Sequence, residues 1–304
     1  MAKTNAEARS NTILTRADWE AQRRAAAEDP GRSHGEIAKR EIHWYDPRLS
    51  AWITWNDKAG RWTGFDAGTG LAREDVDYGP AHEPWARAFN GDDPPFYRWF
   101  EGGLTNACFN EVDRHVLAGL GDEVAFYFEG DRWDPALHDG RGGPVVHAAI
   151  TRTRLLIETV KAALVLEGLG LKAGDRIALN MPNIMPQIYY TEAAKRLGVI
   201  YTPVFGGFSD KTLSDRIQDA GARVVLTADG SYRNAQLVPF KEAYSDPALD
   251  NFIAVETALG IVAGTLERLG LAKKTAHTLR RCAQDALAGE ITVERADVLR
   301  GIGR

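Results

Sequence analysis

The amino-acid sequence predicts an α/β protein built on a mostly parallel sheet, and three observations carry that expectation. Short apolar runs (residues 176–180, 200–205 and 223–228) alternate with segments of helical period (residues 151–167 and 186–197), the pattern of strands joined by crossover helices. The largely apolar run over 200–205 suits a buried strand, because parallel strands are covered on both faces, and Gly206-Gly207 follows it directly. Leu213, Ile217 and Ala220 then fall at i, i+4 and i+7, one face of a short helix that Gly221 closes. Ser209 is a candidate N-cap for that helix, so the glycine turn would lie beside free N–H groups at the carboxyl edge of the sheet, where open α/β proteins bind ligands.

Four regions follow in chain order. Residues 1–43, rich in Ala, Glu and Arg, are helical or flexible, with a helix over 16–27 that Asp29-Pro30-Gly31 stops. Residues 44–115 form an N-terminal extension. It holds six of the eight tryptophans, among Gly, Pro and Asp, without clear period, so its 44–100 stretch is expected to be irregular, wrapping over another surface without a sheet of its own. Residues 116–256 are the first part of the α/β domain. Val112, Val116 and Leu120 are spaced for a helix near its start, 123–128 reads as a strand, and 130–143 as a hairpin or loop. Leu156, Val160 and Ala163 share a face of the strongest helix, and Tyr190, Ala194 and Leu197 share a face of the helix that Pro186 opens and Gly198 ends. A last strand is expected over 252–255, and residues 257–304 read as a helical insertion.

Composition narrows the function classes. A net charge of -5 argues against a nucleic-acid surface, and no apolar run is long enough to span a bilayer. The polar N-terminus carries no signal-peptide pattern, and Cys108 and Cys282 are two thiols far apart, so a cytoplasmic location with reduced cysteines is expected. His43, His82, His138, His147 and His277 have no ligand spacing, and no metal site is expected. Cys108 has no neighbouring base in sequence and reads as packing. Asp113-Arg114-His115 reads as a hydrogen-bonding structural helix, and Asp215, Arg216 and Asp219 as a surface charge network. A dinucleotide-binding dehydrogenase is disfavoured because no Gly-x-Gly-x-x-Gly follows a strand.

Five sequence elements in order then carry a resemblance. Trp99-Phe100-Glu101-Gly102-Gly103-Leu104-Thr105-Asn106 with Asn110 and Asp113-Arg114-His115 is similar to a signature of AMP-forming short-chain acyl-CoA synthetases, the acetyl- and propionyl-CoA synthetase group. So are residues 171–178 with Met181-Pro182-Asn183-Ile184, the Phe205-Gly206-Gly207-Phe208-Ser209 turn, the Asp215-Arg216-Ile217-Gln218-Asp219 segment, and residues 224–230. The resemblance implies the N-terminal part of an adenylate-forming domain. In this family a short-chain carboxylic acid and ATP, with Mg, first give an acyl-AMP, from which CoA displaces AMP as a thioester. The resemblance places CoA nucleotide contacts at Phe205, Gly206 and Gly207, and a contact to the CoA 3′-phosphate at Arg233. Where the family carries a second arginine this sequence has Gln236, which removes a charge-assisted phosphate contact.

No Ser/Thr/Gly-rich loop ending in Gly-Lys, the element that would cradle ATP phosphates, occurs in the sequence. The chain is therefore expected to stop inside the ligase, to carry no catalytic residue, and to be inactive alone. The helical stretch after residue 256 resembles an interruption found in propionyl-CoA synthase fusions, which implies 3-hydroxypropionate beside acetate and propionate as an acid, and fused hydratase and reductase domains as partners. The alternative is a non-catalytic module that binds CoA nucleotide or docks onto a larger protein.

Overall fold

A computed structural model of the chain describes residues 15–204, 210–228, 230–233, 236–239 and 253–256. It divides into two compact units, one comprising the chain to Asp66 with Ala72–Thr105, the other Ala67–Leu71 with the chain from Asn106 onward.

In the first unit, α1 (Arg16–Glu28) begins with a capping box. Thr15 accepts from the Asp18 N–H, and the Asp18 carboxylate accepts from the Thr15 N–H. Asp29 ends α1 and also starts α2 (Pro30–Glu41), its carboxylate accepting from the Arg32 N–H at 2.9 Å, with Pro30 in the first turn where a missing N–H costs nothing. The expected stop is thus a joint between two helices.

The tryptophan-rich segment departs from expectation. It builds its own antiparallel sheet, ordered β1 (Trp44–Asp46), β2 (Ala51–Asn56), β3 (Arg61–Asp66), β4 (Ala72–Arg73), followed by the hairpin β5 (Arg87–Asn90) and β6 (Arg98–Glu101). Trp44, Ile53, Trp62 and Trp85 are buried together, with the Trp44 and Trp85 rings 4.9 Å apart and Phe100 packed on both. The alternation expected of a strand is hidden because indole is at once apolar and a donor. Trp44 Nε1 donates to the Ala38 carbonyl at 3.0 Å and Trp62 Nε1 to the Gly79 carbonyl at 3.2 Å. Gly64 is required by the β2–β3 pairing, since a Cβ there would overlap the Trp52 carbonyl oxygen.

The second unit starts with a π-helical turn (Phe109–Asp113) that passes into α3 (Arg114–Leu117). Leu120, expected on the same helical face, lies beyond the helix end. Next come β7 (Val124–Glu129), β8 (Trp133–Asp134), the short α4 (Leu137–Gly140), β9 (Gly143–Pro144) and β10 (His147–Thr151). β7 pairs antiparallel with β10, and β8 with β9. The remaining elements are α5 (Arg152–Gly168), β11 (Arg176–Asn180), α6 (Met185–Leu197), β12 (Ile200–Pro203), α7 (Asp210–Ala220), β13 (Val224–Thr227), β14 (Gly230–Arg233), β15 (Gln236–Pro239) and β16 (Ile253–Glu256).

β11, β12, β13 and β16 form one parallel sheet in the order β12-β11-β13-β16. Alternate residues serve opposite faces. Ile177, Leu179, Val224 and Leu226 pack with Leu166 of α5 and Ala193 and Ala194 of α6. Ala178 and Val225 pack with Leu213 and Ile217 of α7. Helices therefore cover both faces at β11 and β13, whereas β12, expected to be buried on both faces, is an edge strand whose Ile200 and Pro203 are exposed, because among the described residues only β11 pairs with it. Gly198, at φ 68°, takes the left-handed conformation that ends α6, and the chain turns into β12. The segment expected as a strand over 252–255 is β16, while the region expected to be helical after residue 256 lies outside the described residues.

Candidate functional site

The strand order defines where a ligand would enter. The chain passes from β11 to β12 through α6 in one direction, then from β12 through α7 back across β11 to β13. α6, which leaves β11, and α7, which leaves β12, therefore cover opposite faces, and the strand order reverses at β11, the arrangement that opens a crevice in a doubly wound sheet. Residues 180–184 leave β11 there. Met181 is buried, and Ile184 N–H donates to the Pro182 carbonyl at 2.8 Å to close a tight turn into α6. Beside it, the Val204 N–H donates to the Leu179 carbonyl at 2.9 Å, extending β12 by one residue, and Val204 is buried.

Phe205, Gly206 and Gly207 follow Val204 in sequence and lie outside the described residues. Ser209, the expected cap of α7, lies outside them too. Arg233 is the last residue of β14, and its register partner on β15 is Gln236. Gln236 is solvent-exposed. The two positions at which the resemblance expected a pair of arginines are thus opposed across one hairpin end.

The helix expected at Asp113-Arg114-His115 holds the most strongly buried charges among the described residues. Arg196 of α6 donates from Nη2 to Asp113 Oδ2 at 2.7 Å, with side chains 5% and 1% exposed. The Cys108 thiol lies 3.8 Å from the same carboxylate oxygen. Residues five apart sit roughly 140° apart around an α-helix, so only the wider π turn lets Cys108 and Asp113 share a side. Burial pushes the Cys108 thiol well above the usual range, which leaves it protonated and inert as a nucleophile.

A second contact set was not legible in the sequence. Asn106 Oδ1 accepts from the Phe109 N–H at 3.1 Å, and Asn106 Nδ2 donates to the carbonyls of Lys195 at 3.3 Å and Arg196 at 3.0 Å. One side chain therefore caps the start of one helix and the end of another. Lys195 adds ion pairs to Glu111 and Glu192. Burial pulls its ammonium down, but the two carboxylates outweigh that and leave its pKa raised. The signal available in the sequence was Lys195-Arg196 in the last turn of α6, which reads as an ordinary dipole pairing until the partners are known.

On α7, Asp215 pairs with Lys211 at 3.6 Å, both largely exposed. Among the described residues no group of three or more His, Cys, Asp or Glu side chains could hold a metal ion, and no helix is long and apolar enough to cross a membrane.

An open parallel sheet with helices on both faces, whose strand order reverses at β11, is the architecture of a doubly wound α/β domain. The family model described as "AMP-binding enzyme" matches residues 132–293, more than half of the 304 residues, and the chain belongs to that family. A second model, "Acetyl-coenzyme A synthetase N-terminus", matches residues 72–110. The acetyl-coenzyme A synthetase of Mycolicibacterium smegmatis is 42% identical over 167 residues, which cover 55% of this chain and 17% of that protein. The acetyl-coenzyme A synthetase of Streptomyces coelicolor is 43% identical over 182 residues, covering 60% of this chain and 25% of the relative. The chain thus spans about a quarter or less of these curated relatives. Among solved structures, acetoacetyl-CoA synthetase from Streptomyces lividans is similar at a TM-score of 0.49 and 21% identity, over 57% of this chain and 25% of that one.

Proposed function

We propose that this chain is the N-terminal part of an ATP-dependent, AMP-forming short-chain acyl-CoA ligase and that it contributes contacts to CoA. The observation that supports this most directly is the identity of about 40% to acetyl-coenzyme A synthetases, which runs alongside a family match across the parallel-sheet region. Acetate is the acid those names suggest. Propionate and 3-hydroxypropionate, and fused hydratase and reductase partners, rest on the resemblance of the sequence after residue 256. A cytoplasmic setting belongs to the same reading.

In this reading the CoA nucleotide lies against Phe205, Gly206 and Gly207, directly after the buried end of β12, where the absence of two side chains permits close approach of the backbone. Arg233, at the end of β14, neutralises the 3′-phosphate. Its register partner on β15 is the neutral Gln236. ATP and Mg are required by the complete enzyme for acyl-AMP formation, and no residue described in this chain is assigned to hold them.

The test uses two ligands that differ by one phosphate. Titration calorimetry of the chain with CoA and with 3′-dephospho-CoA should show tighter binding of CoA. Arg233→Ala should weaken CoA by roughly tenfold, the worth of one charge-assisted contact, and leave 3′-dephospho-CoA unchanged. Equal affinity of the parent chain for both ligands would remove the phosphate role of Arg233, and no binding of either would remove the CoA assignment. ATP–pyrophosphate exchange with short acids should be absent from the chain alone, and measurable exchange would overturn that part of the reading.

A further inference from the structure

Arg132 stands on a fixed stretch of backbone. The pairing of β7 with β10 passes into that of β8 with β9 through two hydrogen bonds. The Gly130 N–H donates to the Val146 carbonyl and the Val145 N–H to the Arg132 carbonyl, each at 2.7 Å. The exposed side chain of Arg132 therefore starts from a position that a ladder holds on both sides. It reaches β14, where its guanidinium carbon lies over the Tyr232 ring, 5.7 Å from the ring centroid. Both residues belong to the second unit.

β14 lies at the edge where such sheets take up ligands. Only Ala228 and Asp229 separate Thr227, the end of β13, from Gly230, so the β14–β15 hairpin begins at the carboxyl edge of the parallel sheet.

The contact leaves the donors of the guanidinium available. A guanidinium is planar, so an aromatic ring takes its face, while its N–H groups point outward in the plane. Among the described residues no carboxylate pairs with Arg132. The Asp134 carboxylate, two residues on, accepts from the Ala136 N–H at 2.8 Å instead. The ring also restrains the arginine before any ligand arrives, so less side-chain freedom is lost on binding. A preordered fork of unpaired donors suits a phosphate oxygen pair.

Strand geometry decides which phosphate that is. Positions 232 and 233 are successive in β14 and so belong to opposite faces of the hairpin. Arg132 reaches the face of position 232, whereas the 3′-phosphate contact proposed above falls at position 233. A ligand held from both faces needs two separate anionic groups. CoA carries them on one ribose, a phosphate at 3′ and a diphosphate at 5′.

We infer that Arg132, held over the Tyr232 ring, is a second phosphate-binding cation of the proposed CoA site and takes the 5′-diphosphate, leaving the 3′-phosphate to Arg233. This inference rests on the proposed CoA function. Tyr232 is then a positioning residue that acts through Arg132.

The test crosses variants with ligands in titration calorimetry. Arg132→Ala should weaken CoA and 3′-dephospho-CoA by the same factor, about tenfold, because both ligands carry the 5′-diphosphate. Arg233→Ala, by contrast, weakens CoA alone. Tyr232→Ala should weaken both ligands about threefold, the scale of one exposed cation–π contact, and Tyr232→Phe should keep the parent affinity, since the ring and not the hydroxyl holds the guanidinium. Arg132 and Tyr232 are both exposed, so the urea midpoints of these variants should stay near that of the parent. Parent-like binding of both ligands by Arg132→Ala would overturn the inference and leave the CoA reading standing. A loss confined to CoA would move Arg132 to the 3′-phosphate and overturn the diphosphate assignment. A parent chain that binds neither ligand would remove the CoA reading itself, and the role of Arg132 with it.

Discussion

Arg196 Nη2 and Asp113 Oδ2 meet at 2.7 Å although 83 positions separate them in the chain, and both side chains are almost wholly out of water. The pair ties the π-helical turn to α6 and thereby to the parallel sheet that α6 covers. A buried ion pair of this kind is a weak argument for net stability, because desolvation offsets much of the attraction. Removing one partner is different, since it strands the other charge in an apolar interior.

Asp113→Asn keeps the shape and removes the charge. It should lower the unfolding free energy by about 3–5 kcal/mol, as measured by urea or guanidinium titration. The double replacement Asp113→Leu with Arg196→Met should lose much less, because neither charge is then left unpaired. If the single variant cost under about 0.5 kcal/mol, the pair would not be holding the turn against α6.

His115, two residues further on, supplies a pH dependence of opposite origin. Burial, followed by the Arg114 and Arg152 guanidiniums, lowers its pKa to about 4 against the attraction of Glu123. The unfolded chain takes up that proton near the ordinary value of about 6.5, so between these limits the unfolded state binds more protons than the folded one. Stability is therefore intact above pH 6.5 and falls as pH drops towards 4. Below 4 the loss from this group is complete. Urea midpoints measured from pH 7.5 to 4 should show a decline that is flatter in His115→Gln. Partial exposure of the ring makes the effect modest. Identical slopes in both proteins would assign the acid sensitivity elsewhere.

These residues show how unevenly the sequence disclosed the molecule. Pro186 and Gly198 bracket α6 within a residue or two because each acts through its own backbone, one by lacking an N–H and the other by reaching positive φ. β11 and β13 were legible because both faces are covered and their central residues are apolar, Ile177 to Leu179 and Val224 to Leu226. The tryptophan sheet was missed because donors on Trp44 and Trp62 satisfy distant carbonyls, which no local pattern records. Asn106 and Asp113 were visible as motif residues, but their partners Lys195 and Arg196 lie more than eighty positions away.

The β14–β15 hairpin bears directly on the residue that departs from the family pattern. Arg233 and Gln236 are direct register partners, and opposed residues on an antiparallel pair share a face. Gln236→Arg would place a second cation across from the first. In the free protein two like charges so placed repel, and the hairpin should become slightly less stable. A phosphate dianion between them converts that repulsion into two charge-assisted contacts. CoA affinity measured by calorimetry should therefore rise about tenfold, while 3′-dephospho-CoA should bind no better than to the parent. Raising the salt from about 0.05 to 0.5 M should erase much of the gain, because Gln236 is exposed and charges there are screened. An equal gain for both ligands would mean that the new arginine acts on some other part of the nucleotide. No gain for either would place the 3′-phosphate away from this hairpin end and leave Arg233 without its proposed partner.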